Sequence, residues 1–381
     1  MNRVEVEPRL IQWAIDRAGL SPVDLQRKFP KIDAWATGDV MPTVRQLEAF
    51  AKKTAVPLGY LFLKEPPKER LPIRDFRTVG DRPARRPSPN LMETIHTMQR
   101  RQDFMREFLI SAGYESLTFV AGATAGGNVS EVAGKMRDAL GLSQGWARAN
   151  RTWTDALKML REAAEEAGIL VVINGVVANN TRRKLDPRDF RGFALIDEWA
   201  PLVFVNGADA KAAQMFTMAH EMAHVFIGEA GVSDLPFLGT DGPAVERFCN
   251  RVAAEFLLPA VELKAMWPNA ASNERPFGAV ARHFKVSEIV AARRTFDLGL
   301  IDREGFRAFF AEAVERARPK KQAGGNFWNT QSQRIGYRFG KAVVQAAREG
   351  RLLYANAYDL CGLYGSTFDR YAEKISGRPL R

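Results

Sequence analysis

The stretch FTMAHEMAHVFIGEAG, residues 216–231, places His220 and His224 four positions apart with Glu221 directly after the first. This spacing constrains the chain more than any other feature, because it makes chemical sense on a helix. Residues four apart on an α-helix differ by about 40° around the axis, so both imidazoles face one side and can share an ion at roughly 2.0–2.1 Å. The surrounding AKAAQMFTMAHEMAHVFIG predicts that helix, since Ala and Met favour it and nothing breaks it before Gly228. Met215, Met218, Met222 and Phe226 recur every three or four residues, on the flank expected to face a core. Glu221, adjacent to the first imidazole, can reach a water on the ion and take its proton.

An open metal site of this kind needs a third protein ligand and leaves one position for solvent. The chain has four histidines, and none lies close after His224, so a carboxylate is expected. The segment PAVERFCNRVAAEFLLPAVEL predicts a second helix beginning after Pro243, on which Glu246 and Asn250 share a face. Glu246 can then bind the ion while the Asn250 amide supports a neighbouring ligand. Glu229, Asp234, Asp241 and Glu255 are rivals that spacing alone does not dismiss. His96 and His283 are expected to have packing or surface roles.

The rest of the chain sets the frame around this site. Its 381 residues imply more than one domain, and no apolar run approaches the roughly 18 residues of a membrane span. With two cysteines, Cys249 and Cys361, there is no disulfide framework, and a reducing cytoplasmic location is expected. The net charge of +11 is uneven: residues 1–60 hold nine Lys/Arg against seven Asp/Glu, residues 301–381 fifteen against eight. Nucleic-acid binding therefore does not follow from the total alone.

The first 65 residues predict about five short helices. Ser21 with Asp24 and Thr43 with Gln46 have capping-box spacing, and Gly19, Pro30, Gly38, Pro42 and Pro57 separate the runs. Leu10, Ile11, Ala14 and Ala18 form one apolar face; Val44, Leu47, Phe50 and Ala51 form another. KEPPKERLPIRDFRTVGDRPARRPSPN, rich in Pro and Arg, predicts a linker without regular structure, followed by a helix from Leu91 to about Ala112. Farther on come a helix in TWTDALKMLREAAEEAG and strands in ILVVING, FRGFALID and APLVFVNG, with NNTRRKLDPRDF as a loop. PLVFVN is the expected edge along which an extended peptide would add as a strand.

Two resemblances sharpen these expectations. AGLSPVDL, IDAWATGDVMPTVRQLEAFAKKTAVPL and the turn from Gly38 to Pro42 resemble the Xre-type helix-turn-helix family, although the stretch from Ser21 to Gly38 is about four residues shorter than that family's pattern. DNA contact through residues 1–65 is one implication; use of the module for docking or homodimerisation is the other. AKAAQMFTMAHEMAHVFIGE followed by AVERFCNRVAAEFLLP resembles the ImmA/IrrE metalloendopeptidases, with Cys249 where that family has alanine. PLGYLFLKEPPKERLPIRDFRT, GILVVINGVVANNTRRKLDPRDFRGFAL and YRFGKAVVQAAREGRLLYANAYDLCGL resemble the subgroup that joins both modules.

The resemblance implies an α+β, mostly helical fold. It divides the chain into a helix-turn-helix bundle at 1–65, connecting helices at 66–150, a zincin-like metallopeptidase domain with a small sheet at 151–300, and a basic helical region at 301–381. It implies Zn²⁺, with Mn²⁺ or Fe²⁺ as substitutes, held by His220, His224 and Glu246, and Glu221 as catalytic acid/base. Asn250 is the supporting residue. The implied substrate is a protein, a DNA-binding repressor, whose cleavage switches on a stress response or a mobile element.

Overall fold

The computed structural model describes residues 3–76, 87–233, 243–316 and 327–377, which form two compact units. Helices dominate, beside a small mixed sheet, so the expected α+β, mostly helical class holds.

The first unit contains α1 (Pro8–Ala18), α2 (Pro22–Lys28), α3 (Ile32–Thr37) and α4 (Val44–Thr54), then a 3-10 turn at Leu58–Phe62. Its core joins Ile11, Ala14, Leu25, Ile32 and Leu47 to the rings of Phe29, Trp35 and Phe50, whose centroids lie 5.8–6.3 Å apart. Arg17 closes the unit, donating two bonds of 2.6 and 2.7 Å to Glu69 and one to the Ala55 carbonyl. Gly19 and Gly38 end α1 and α3 in the left-handed region, φ +57° and +87°.

Three local expectations divide here. Thr43 and Gln46 form the complete capping box. Ser21 does not cap α2: Asp24 bonds Arg27 at 2.9 Å instead, and Pro22 supplies the preset first turn. Val44 leaves the apolar face and is 40% exposed at the first position of α4, and Ala18 is only partly buried.

The second unit opens with β1 (Arg74–Asp75), inside the segment expected to lack regular structure. Most of α5 (Pro89–Ser111) follows, then α6 (Val129–Ala139) and α7 (Trp153–Glu166), which starts at a Thr152–Asp155 capping box. Strands β2 (Leu170–Asn174), β3 (Val176–Val177), β4 (Asn180–Lys184), β5 (Gly192–Leu195) and β6 (Leu202–Asn206) lead into α8 (Lys211–Ile227) and β7 (Gly231–Ser233). Then come α9 (Ala244–Leu257), α10 (Ala260–Ala271), α11 (Pro276–Phe284), α12 (Glu288–Asp297) and α13 (Arg303–Arg316). The last elements are α14 (Phe327–Ile335), α15 (Tyr337–Arg348), α16 (Tyr354–Cys361) and α17 (Ser366–Ser376).

The main sheet runs β1-β7-β5-β6-β2, with β5 antiparallel to both neighbours and the outer pairs parallel. β2 and β6 are buried along their whole length, which explains their unbroken apolar sequences. Two expectations change. PLVFVN is not an edge, because β6 pairs with β5 on one side and β2 on the other. Part of NNTRRKLDPRDF is strand β4, which pairs with β3 in a separate two-stranded ribbon.

α5 ties the C-terminal helices to this core. Buried Arg101 donates to the carbonyls of Leu360 and Arg334 at 2.9 and 2.8 Å and lies over the Phe339 ring. One turn-face away, Gln102 donates to the carbonyls of Leu195 and Ala200. The stretch FWNTQSQRIGYRF thus contributes Ile335 and Phe339 to the interior, while Phe327 and Tyr337 are half exposed. No helix among the described residues is long and apolar enough to cross a membrane.

Candidate active site

α8 runs through the middle of the second unit, and every residue from Ala213 to Ile227 is buried. Its Ala- and Met-rich sequence makes the helix and also lets it pack on all sides. It rests on β5 and β6 below and α9 beside it. Gly228, at φ +75°, ends it in the left-handed region and turns the chain toward β7.

The predicted spacing produces the predicted convergence. The Nε2 atoms of His220 and His224 lie 3.0 Å apart. From α9, Glu246 brings Oε2 within 3.1 Å of His220 Nε2 and Oε1 within 2.9 Å of His224 Nε2. Together these side chains make a group of His220, His224 and Glu246 that could hold a metal ion, all ligand atoms lying within 4.8 Å of one another. Glu246 Oε1, despite its proximity to His224, has no hydrogen-bond partner among the described residues. A buried carboxylate oxygen left this way beside two imidazole nitrogens suits a divalent ion of the Zn²⁺ type, which takes imidazole nitrogen and carboxylate oxygen among its donors.

Electrostatics follow from burial. Burial alone would raise the Glu246 carboxyl, but the adjacent His220 and His224 imidazoles outweigh it and hold it at about 2. Burial chiefly lowers His220, favouring the neutral imidazole that a metal requires. The Asn250 amide, one turn beyond Glu246, acts on His220 in the opposite direction. His224 Nδ1 lies 3.0 Å from the Glu229 carbonyl oxygen, which fixes the ring with Nε2 free to face Glu246.

Glu221 lies wholly buried on the same helix. The Ser233 hydroxyl donates to its Oε1, and Oε2 has no partner among the described residues. Burial pushes this carboxyl up to about 8 despite the Ser233 bond and the nearby His224. Gly192 permits the approach: a Cβ there would meet Thr217 Cγ2 at 2.7 Å, Glu221 Oε1 at 2.8 Å and the Phe204 oxygen at 2.9 Å.

Two of the four rivals to Glu246 have other partners. Glu229 offers its backbone oxygen to His224 while its side chain pairs with Arg74 at 2.6 Å. Glu255 pairs with buried Arg294 and accepts from the Ala260 N–H. Asp234 and Asp241 lie outside the described residues. His283 bonds Glu262 at 2.8 Å and His96 is exposed, so neither joins the group.

Three neighbours escaped the sequence reading. Ser233 comes from β7, a strand too short to signal itself. Phe76 follows β1 and stacks on His224, with centroids 5.5 Å apart and planes 19° apart, over a Gly231 that leaves room for its ring. Cys249, read as a small replacement for alanine, is within hydrogen-bonding reach of His224 and is a free, buried thiol.

Residues 164–296 match the model of the M78 peptidase family, described as an IrrE N-terminal-like domain. This supports the ImmA/IrrE resemblance over the segment from the end of α7 to α12. Residues 335–374 match a second model, a domain of unknown function, DUF8813. No curated protein and no solved structure matches the chain.

Proposed function

We propose that the chain is a metal-dependent endopeptidase in which His220, His224 and Glu246 hold Zn²⁺ and Glu221 is the general acid/base. The observation that carries this reading is the convergence of two imidazoles from one helical turn and a carboxylate from the next helix, beside a buried glutamate. Three protein donors among the described residues leave a coordination place open, whereas a structural site closes with four. Mn²⁺ or Fe²⁺ also suits a donor set of two nitrogens and a carboxylate.

A metal held by these residues would supply Lewis-acid polarisation of the peptide carbonyl and would make a water acidic near neutral pH. Glu221 then has a defined task. Ser233 occupies Oε1, so Oε2 is the oxygen that accepts the proton of the attacking water and returns it to the departing amine. With a cation bound nearby, the carboxylate form of Glu221 would be favoured over the neutral acid that burial favours. Phe76 and the apolar faces of α8 and β7 keep bulk water from this proton transfer.

The substrate we propose is a DNA-binding repressor, on the strength of the family resemblance. Purified protein with Zn²⁺, incubated with a repressor encoded beside it, should yield one dominant pair of new termini. Intact repressor after prolonged incubation, with metal bound, would count against the substrate assignment; failure on unfolded casein and on peptide libraries as well would remove the peptidase reading.

A further inference from the structure

Away from this site, on the opposite end of α8, lies a cavity of about 280 Å³ with an unusual lining. Arg161 and Lys158 reach it from α7, Lys211 from the first position of α8, and Ser332 and Gln333 from α14. Among the described residues three cations and no carboxylate line it, with Glu162 lying outside that lining at 3.8 Å from Lys158 Nζ.

Arg161 is the telling residue. It is 8% exposed, and neither its Nε nor its Nη1 has a hydrogen-bond partner among the described residues. Its remaining nitrogen, Nη2, is 3.7 Å from the half-exposed Glu162. Glu165 lies near enough to feel its charge, but Glu165 Oε1 already accepts the Tyr337 N–H at 2.7 Å, and no hydrogen bond joins it to Arg161. A buried guanidinium with N–H donors on two nitrogens unmet is costly, and proteins normally pair such a group. Lys211 is partly buried beside it and donates to Gln214 Oε1 at 3.2 Å; burial together with the Arg161 charge lowers its ammonium.

Arg161 and Ser332 also line a second cavity, of about 590 Å³, so the two adjoin. Its walls include Met105, Phe108, Leu109, Tyr114 and Tyr337. One end of the combined space is cationic, and the other sets rings and apolar side chains beside the carboxyl groups of Glu162, Glu165 and Glu166, in the size range of small-molecule sites.

We propose that Arg161, Lys158 and Lys211 bind the phosphate group of a small metabolite whose flat apolar body lies in the adjoining cavity between α5 and α15. Guanidinium and ammonium donors suit a phosphate dianion, and the N-terminal end of α8 adds its own positive field. The site is separate from the metal-ligand cluster: Lys211 precedes His220 by nine residues, about 14 Å along the helix. It does not depend on the peptidase reading.

Calorimetric titration of the full chain with phenyl phosphate, inorganic phosphate and phenol tests it. Phenyl phosphate should bind at least tenfold more tightly than inorganic phosphate, and phenol should give no measurable heat. Arg161→Gln should weaken phenyl phosphate at least tenfold without lowering the melting temperature of the ligand-free protein. Lys211→Gln, a milder change, should weaken it severalfold and serves if the arginine variant does not fold. Absence of binding by both phosphates, or undiminished binding in the folded variants, overturns the site. Equal affinity for phenyl phosphate and inorganic phosphate overturns the assignment of the apolar cavity.

Discussion

Ser233 on β7 donates its hydroxyl to Oε1 of Glu221 on α8, within a pocket where both side chains are buried. The bond spends one carboxylate oxygen and leaves the other for chemistry. It also opposes the upward push of burial on the Glu221 carboxyl. Ser233→Ala should therefore lower kcat/KM about 10-fold, since leaving a buried acceptor short of a bond costs about 1–3 kcal/mol. The acidic limb of the pH–activity profile should move to higher pH, because the donor that favours the ionised form is gone. An unmoved limb would show that Glu221 does not report the catalytic base.

Glu221→Gln should retain the metal while cleavage falls about 10²–10⁴-fold, the usual contribution of a positioned acid/base. Metal content by mass spectrometry and cleavage of one substrate should be read on the same sample. Full activity in a metal-loaded variant would assign the proton transfer elsewhere.

Replacing Glu246 by Gln removes the charge that balances the two imidazoles while keeping the shape. Zinc affinity should fall more than the 10–100-fold typical of outer supporting residues. Chelation of the wild type should lower its melting temperature, because a ligand at a hundred times its Kd contributes about 2.7 kcal/mol. The variant should show little change on chelation; an equal drop in both proteins would mean that the ion sits elsewhere.

Gly192→Ala pushes a methyl group against Thr217, Glu221 and the Phe204 oxygen. Overpacking of this kind costs about 1–3 kcal/mol. Thermal unfolding should show that loss, and activity should drop at temperatures where the variant remains folded. Activity equal to wild type would show that β5 does not position Glu221.

Burial pushes the Glu165 carboxyl up to about 7, against the opposing pull of Arg161. The folded state therefore prefers the neutral acid. That contribution is complete below the unfolded value of roughly 4.3 and declines as pH rises through about 7. Between pH 5 and 8 the wild type should lose on the order of 1–3 kcal/mol through this group, and Glu165→Gln should be flatter over the same window. Parallel melting curves for the two proteins would place the titration in another group.

Much of this site was legible before any coordinates. The i, i+4 histidines, the helix formers around them and the glycine that ends the helix are all local, and α8 follows directly. Strands β2 and β6 declare themselves as apolar β-branched runs, and β5 as a short apolar run, for the same reason. Local caps were legible only where nothing competed: Thr43 keeps its partner, whereas Asp24 turns to Arg27 and leaves Ser21 idle.

What only the tertiary structure decided is nonlocal. Glu246 and Glu255 lie nine residues apart, hence about 180° apart around α9, and packing alone settles which face meets the histidines. It turns Glu246 inward and gives Glu255 to Arg294. Strand order moved PLVFVN from edge to interior, because pairing partners come from segments that no local pattern connects. Ser233, Phe76 and Cys249 reach the site from a three-residue strand, a proline-rich connector and a neighbouring helix turn. A side chain's type and periodicity set what it can do, and chain reversals set what it meets; the metal-ligand spacing belongs to the first kind of information, and the environment that tunes it to the second.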